Sequence, residues 1–384
     1  MKIVIAPDSF KGSMSSIEAA NSIEKGILQA FPQAETILLP VGDGGEGTLE
    51  TLVTATGGKT ISVYVTGPLG GTIEAEYGIL GDGETCVIEM AKASGLVLVP
   101  SAQLNPLKAT TYGTGELIKK ALDDGYKSFI LALGGSATND GGAGMLQALG
   151  LKILDENGEE IGFGGEQLRR VASIDLSSFD SRISQCTFLI ASDVQNPFIG
   201  PDGASSVFGP QKGASPEDVA FLDHCLYNFA EVIEKETGVH LHDLPGAGAA
   251  GGIGGAFQAF FPSEMRRGID VVIEYTKLNE LVEGADLVIT GEGKVDFQTA
   301  SGKTPMGVAQ TALKKNVPTI IIAGSVGKGV ETLYQHGIVS VHSIINRPME
   351  LKECMHNAKE LTEFAAEQVV RSFFYQTKIN SRMG

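Results

Sequence analysis

Lys2-Ile3-Val4-Ile5-Ala6-Pro7-Asp8-Ser9-Phe10-Lys11-Gly12-Ser13 decides the reading of the fold. The apolar run at 3–6 has the length and composition of a buried strand. Residues 7–13 are turn formers. Ser15 or Ser16 caps the helix that follows, Glu18 lies in its first turn, and Ile17, Ala20, Ile23, Ile27 and Leu28 share its apolar face. This is a β-loop-α unit, and the same pattern recurs. A strand is predicted at 36–41, a loop at 42–47 and a helix at 46–56. Strands at 129–133 and 188–191 each run into a loop of small polar residues. A helix at 214–237 opens at Ser215-Pro216-Glu217. The last hundred residues alternate strand 287–290, helix 303–315, strand 319–323, a short helix, strand 339–345 and a long helix from about 350.

Between 59 and 90 the period changes. Ile61, Val63 and Val65 alternate with Thr60, Ser62, Tyr64 and Thr66, and Gly70-Gly71 and Gly81-Asp82-Gly83 mark turns, which predicts antiparallel hairpins. The fold class is therefore α/β. A mostly parallel sheet with helices on both faces is expected from 1–58 and 285–384. A second α/β domain with hairpins is inserted at 59–284. Segments 112–149 and 188–196 fit either domain.

The 384 residues suffice for two or three domains at about 150 residues each. Twenty-nine Lys and Arg stand against 46 Asp and Glu, a formal net charge of −17, which argues against nucleic acid as a partner. No secretory signal is expected, because the first apolar run stops at Pro7-Asp8. No membrane partner is expected either: the longest uncharged stretch, 244–263, holds six glycines as well as Pro245 and Pro262. Cys86, Cys186, Cys225 and Cys354 share no metal or redox spacing and fit the reducing cytoplasm.

Chemistry concentrates where strands end, since ligands of open α/β sheets lie beyond the carboxyl ends of the strands. Asp8, Ser9 and Lys11 precede a helix N-terminus, a place for an anion; the ordinary alternative is a solvated Lys and a turn-capping Asp. Gly42-Asp43-Gly44-Gly45-Glu46-Gly47 matches the dinucleotide pattern G-x-G-x-x-G. Asp43 and Glu46, however, suit substrate hydroxyls or Mg²⁺ better than a pyrophosphate. Gly134-Gly135-Ser136-Ala137-Thr138-Asn139-Asp140 is the densest small-residue loop and reads as a phosphate cradle, with a close backbone crossing as the plainer reading. Asp193 at a strand end is placed to accept a hydroxyl proton or to form an Asx turn before Pro197. Lys212 is a phosphate contact or a surface Lys. Glu292 and Asp296 are candidate metal ligands. Gly302-Lys303-Thr304 looks like the end of a P-loop, but Phe297 stands where that motif requires glycine, leaving Lys303 a lone candidate. Gly246-Ala247-Gly248-Ala249-Ala250-Gly251 also fits G-x-G-x-x-G with no strand before it, and reads as a lid or a tightly packed helix start. His240 and His242 form an i, i+2 pair without a partner motif and read as ordinary histidines.

Taken in order, these loops resemble the bacterial glycerate kinase family nearly end to end. The carrying residues are Ala6-Pro7-Asp8-Ser9-Phe10-Lys11-Gly12-Ser13, Gly42-Asp43-Gly44-Gly45-Glu46-Gly47-Thr48, Gly113-Thr114-Gly115-Glu116, the stretch 134–142, Ala191-Ser192-Asp193-Val194-Gln195-Asn196-Pro197 and Phe208-Gly209-Pro210-Gln211-Lys212-Gly213. Thr290-Gly291-Glu292-Gly293 and Gly302-Lys303-Thr304-Pro305 continue the match, while Val41-Gly42 departs from the more polar lead expected there. The resemblance implies ATP and Mg²⁺ as cofactors, glycerate as substrate, 2-phosphoglycerate as the favoured product, and an active site between two unlike α/β domains, one with a Rossmann-like parallel sheet and one family-specific. Monomer and homodimer stay equally open. The requirements of phosphoryl transfer then distribute the roles. Lys11 binds the glycerate carboxylate or the moving phosphoryl group, and Asp8, Ser9, Asp43 and Glu46 contact the substrate. Asp193 is the leading general base and Asp296 the second choice. Gly134, Gly135, Ser136, Thr138, Asn139, Asp140, Lys212 and Lys303 meet the nucleotide, and Glu292 and Asp296 hold metal. A nucleotide-dependent oxidoreductase and a non-catalytic sugar-acid binding protein are the alternatives.

Overall fold

The computed structural model describes residues 1–297, 299 and 304–375. In chain order the strands are β1 (Lys2–Pro7), β2 (Glu35–Leu38), β3 (Lys59–Thr66), β4 (Thr72–Ile79), β5 (Thr85–Glu89), β6 (Ser128–Ala132), β7 (Lys152–Leu154), β8 (Ser173–Asp175), β9 (Thr187–Ala191), β10 (Ser263–Arg266), β11 (Leu287–Val295), β12 (Thr319–Val326) and β13 (Ile338–Ser343). They fall into two compact units, Met1–Asp43 with Ile269–Gly384, and Gly44–Gly268.

The first unit holds a wholly parallel sheet in the order β13-β12-β11-β1-β2. Counted along this unit's own chain, the order is 2-1-3-4-5, a doubly wound arrangement whose reversal point lies between β1 and β11. The central strands β1, β11 and β12 begin as unbroken apolar runs because both their faces are covered. Ile3, Ile5, Leu287, Ile289, Ile320 and Ile322 pack with the helices Ser16–Ala30 and Ala358–Phe373. Ile321 and Ala323 face the other way, onto Met306 and Ala309 of the helix Thr304–Leu313. Gly26 sits where the first two helices cross, and a Cβ there would lie 2.1 Å from the Glu363 carbonyl oxygen. Gly26→Ala must push the helices apart. That costs about 1–3 kcal/mol of overpacking, against the ~1 kcal/mol by which Ala improves on Gly inside a helix. A urea midpoint equal to or above that of the parent would refute this packing.

The second unit holds a sheet ordered β10-β9-β6-β5-β4-β3 and a small β7-β8 ribbon. β10, β9, β6 and β5 run parallel, and the β5-β4-β3 edge is the predicted pair of antiparallel hairpins. Phe129 and Phe188 stack at 4.8 Å between ring centroids in its core. Segments 112–149 and 188–196 belong to this unit, because β6 lies in register between β5 and β9.

The boundaries also differ from those read in the sequence. The helix Thr48–Thr56 rests on the second sheet, where a Cβ at Gly78 would come within 2.4 Å of Val53 Cγ2. Ile269 packs so closely on the helix Thr304–Leu313 that a Cβ at Gly307 would lie 2.4 Å from its Cγ1. Residues 44–58 therefore go with the second unit and 269–284 with the first. Among the described residues no helix is long and apolar enough to cross a membrane.

Candidate active site

In the first unit Asp8 follows β1 at the reversal point. Its N–H donates to the Gly291 carbonyl (2.8 Å), which ties it to β11. Its carboxylate accepts from Ser9 N (2.6 Å) and Thr304 Oγ1 (2.7 Å) and is 6% exposed. Burial, and then the charge of Asp43, push its pKa up to about 7, against the Thr304 and Ser9 hydrogen bonds and Lys11, which pull it down. Lys11 stands on a tight turn in which Phe10 and Met14 exchange backbone hydrogen bonds of 2.9 and 3.1 Å. Its side chain is 72% exposed and its Nζ lies 3.3 Å from Asp43 Oδ2. Asp8, Ser9, Lys11 and Asp43 thus come together in the first unit.

One part of that reading is corrected. The N-terminus of the helix Ser16–Ala30 is closed by a capping box, with Glu18 N donating to Ser15 Oγ and Ser15 N to Glu18 Oε2. A carboxylate sits where an anion was expected, so Lys11 attracts by its own charge.

The loop expected at 291–296 is mostly strand. β11 continues through Val295 and pairs with β12 as far as Val295↔Val326. Its glycines and charges concealed a strand that runs past the apolar core. Thr299 joins the two expected metal ligands: its Oγ1 donates to Glu292 Oε1 (2.9 Å) and accepts from Asp296 N (3.2 Å). Lys294 Nζ lies 3.0 Å from Asp296 Oδ2. Carboxylate oxygens held this way suit a hard divalent cation that keeps its waters and phosphate ligands, so the residues fit Mg²⁺. Beside them lies a largely apolar pocket of about 340 Å³, lined by Phe10, Lys11, Gly293, Ile344 and Met355. Lys303 lies outside the described residues.

In the second unit the glycine loops are close crossings. A Cβ at Gly134 would lie 2.3 Å from Gly45 Cα, at Gly44 2.7 Å from the Ala191 carbonyl oxygen, and at Gly135 2.6 Å from Glu46 Oε1. This brings Glu46 and Gly135 to the carboxyl ends of β6 and β9. Asp193 is exposed there, and its Oδ1 accepts from Gly268 N at 2.9 Å, a long-range bond. Glu89, which sequence reasoning missed, closes the helix Thr48–Thr56: its Oε2 accepts from Gly47 N (3.1 Å) and Leu49 N (3.2 Å). Burial raises its pKa to about 7. The helix N-terminus that a dinucleotide pyrophosphate needs is already filled by an acid, which removes the main support for an oxidoreductase.

The 134–140 loop is less open than its sequence promises. Lys212 is 1% exposed and donates to Ser136 Oγ (2.7 Å) and the Thr138 carbonyl (2.6 Å). Asp140 is buried and accepts from Thr111 N, Thr111 Oγ1, Gly142 N and Gly144 N. Asn139 Nδ2 donates to Ser205 Oγ at 2.8 Å. These side chains hold the loop from beneath, while Gly134 and Gly135 stay half-buried at its surface. The 246–251 run is the tightly packed alternative, with a Cβ at Gly251 only 2.0 Å from the Thr138 carbonyl oxygen.

Burial lowers the pKa of Lys212 to about 7. The unfolded chain then holds more protons than the native one between about pH 7 and 10.5, so stability rises with pH across that window. Lys212→Met should flatten the rise in urea midpoint from pH 7 to 10, and an unchanged slope would show that the amine titrates normally.

Comparison with known proteins settles the lineage. The model of the Glycerate kinase family matches residues 3–374. The chain belongs to the glycerate kinase family. It is a kinase of that descent. A Bacillus subtilis (strain 168) glycerate kinase is 51% identical over 97% of both chains. The glycerate 2-kinase of Escherichia coli (strain K12) is 51% identical over 93% of this chain and 94% of its own. A crystal structure from Salmonella typhimurium LT2 superposes with a TM-score of 0.85 at 48% identity, covering 98% of this chain and 99% of that one.

Proposed function

We propose that the chain transfers the γ-phosphoryl group of ATP to glycerate in the cytoplasm, giving 2-phosphoglycerate and ADP. The observation that carries this reading is the grouping of Asp8, Lys11 and Asp43 at the reversal point of the first sheet. It joins a buried carboxyl with a pKa of about 7 to an exposed cation and a second acid. Asp8 and Asp43 orient glycerate hydroxyls, with Ser9 and Glu46 as further contacts. Lys11 offsets the charge of the carboxylate or of the moving phosphoryl group. Asp193 takes the hydroxyl proton as the new O–P bond forms in line with the breaking bond to ADP.

The Gly134-Gly135 backbone meets phosphate, and Ser136, Thr138, Asn139, Asp140 and Lys212 position that loop. Glu292 and Asp296 hold the Mg²⁺ that arrives with ATP and supplies charge neutralisation on the phosphate oxygens. The apolar pocket beside Lys11 suits the adenine. The name of the Escherichia coli relative favours the 2-phosphate. Four unpaired, buried cysteines fit a reducing compartment.

Phosphorus NMR of the product from D-glycerate and Mg-ATP tests the reading. A 2-phosphoglycerate resonance growing with ADP is expected. The 3-phosphate would overturn the regiochemistry, and glycerate binding without ADP would point to a binding protein.

A further inference from the structure

A cluster of side chains in the second unit takes no part in the roles assigned above. The helix Pro216–Thr237 ends at Gly238, whose φ of +74° turns the chain back along the last helical turn. The returning segment carries His240 and His242 on either side of Leu241, which is fully buried and pins the segment to the core. The two imidazoles stack at 4.4 Å between centroids, and the edge of Tyr227 meets His242 at 5.1 Å.

Glu234 Oε2 faces both rings, 2.8 Å from His240 Nδ1 and 3.9 Å from His242 Nδ1. Glu231 Oε1 lies 2.9 Å from His242 Nε2, and Asp243 Oδ1 3.7 Å from His240 Nε2. Both ring nitrogens of His242 are shielded from solvent, yet neither has a hydrogen-bond partner, the approach of Glu231 being misaligned. Shielded imidazole nitrogens that make no hydrogen bond are costly unless something else engages them.

We propose that Glu234, His240 and His242 form a binding site for a divalent transition-metal ion of the zinc type, separate from the Mg²⁺ that accompanies ATP. One ligand atom from each residue lies within 4.8 Å of the others. Metal bonds of about 2.0–2.2 Å require the two stacked rings to rotate apart so that their nitrogens converge on the ion. Two imidazoles and a carboxylate are borderline donors that select Zn²⁺, Co²⁺ or Ni²⁺ over Mg²⁺. Glu231 and Asp243 add negative charge around the ion and can accept from the outer imidazole N–H groups. In the sequence the histidines read as ordinary because Glu234, six residues earlier, reaches them only through the turn at Gly238.

The test uses the full chain, stripped of metal and titrated with Co²⁺ in the presence of excess Mg²⁺. One equivalent should bind with the visible absorption of a low-coordinate Co²⁺ site, Zn²⁺ should displace it, and the thermal midpoint should rise with free metal. Loss of a ligand in His242→Ala or Glu234→Gln should weaken binding by more than the roughly 10–100-fold typical of lost outer-shell partners, with kinase turnover unchanged. A His336→Ala/His356→Ala control should bind as the parent does. Either of two results overturns the proposal: no saturable single equivalent in the parent chain, or undiminished binding in His240→Ala/His242→Ala. In that case the histidines form ion pairs with Glu231 and Glu234 and nothing more.

Discussion

Asp193→Asn should lower kcat for glycerate and Mg-ATP by about 10²- to 10⁴-fold, the range expected when a general base is removed, with a much smaller change in KM. The side chain is exposed beyond the end of β9 and anchored by Gly268 N on Oδ1. Asn keeps an oxygen for that bond, so the variant preserves the local geometry and removes chiefly the capacity to take a proton. The bond to Gly268 is long-range and ties the carboxylate to the end of β10. Steady-state kinetics check the prediction. Turnover within a factor of a few of the parent would transfer the role to Asp296, or leave positioning of ATP and glycerate as sufficient.

Much of this was legible in the chain because buried strands and capped helices obey local rules. Ile3 to Ala6 announced β1, and Ser215-Pro216 opened a helix at Pro216 with a full capping box. The alternation of Ile61, Val63 and Val65 gave the hairpins. What stayed hidden is long-range. Glu89 ends an apolar strand, and no pattern of spacing says that it reaches back to the N–H groups of Gly47 and Leu49. Lys212 read as a phosphate contact or a surface lysine, and its burial was hidden because the walls around it come from residues 136–138, far away in sequence. Asp140 looked like a ligand group in a small-residue loop, but its carboxylate is spent on Thr111, Gly142 and Gly144. β11 outran its prediction because Gly291 to Lys294 carry turn-forming residues while the backbone still pairs with β12. Glycine-rich loops therefore marked strand ends, but not which of their side chains point outward.

Asp8→Asn should lower kcat/KM for glycerate by about 10- to 100-fold, the scale of a lost hydrogen bond between a charged group and the substrate it orients, and should make the protein more stable at pH 8. The second effect follows from linkage. The unfolded carboxyl titrates near 3.8 and the native one near 7, so the native state binds the additional proton in between. Stability therefore falls as pH rises from about 4 to 7 and then levels off, because the native state must carry a buried charge facing Asp43. Asn carries no such charge; its Oδ1 can still accept from Ser9 N, and its Nδ2 can donate to the Thr304 hydroxyl. A residue kept only for packing would behave the opposite way, losing stability when replaced and leaving the rate alone. The pH profile of kcat/KM should show an acid limb near pH 7 in the parent. In Asp43→Asn the limb should move to lower pH, since the like charge that raises the Asp8 pKa is gone. A limb that stays in place in Asp43→Asn, or a thermal midpoint of Asp8→Asn at pH 8 below that of the parent, would show that the Asp8 carboxyl is a structural acid and that the proton-linked group lies elsewhere.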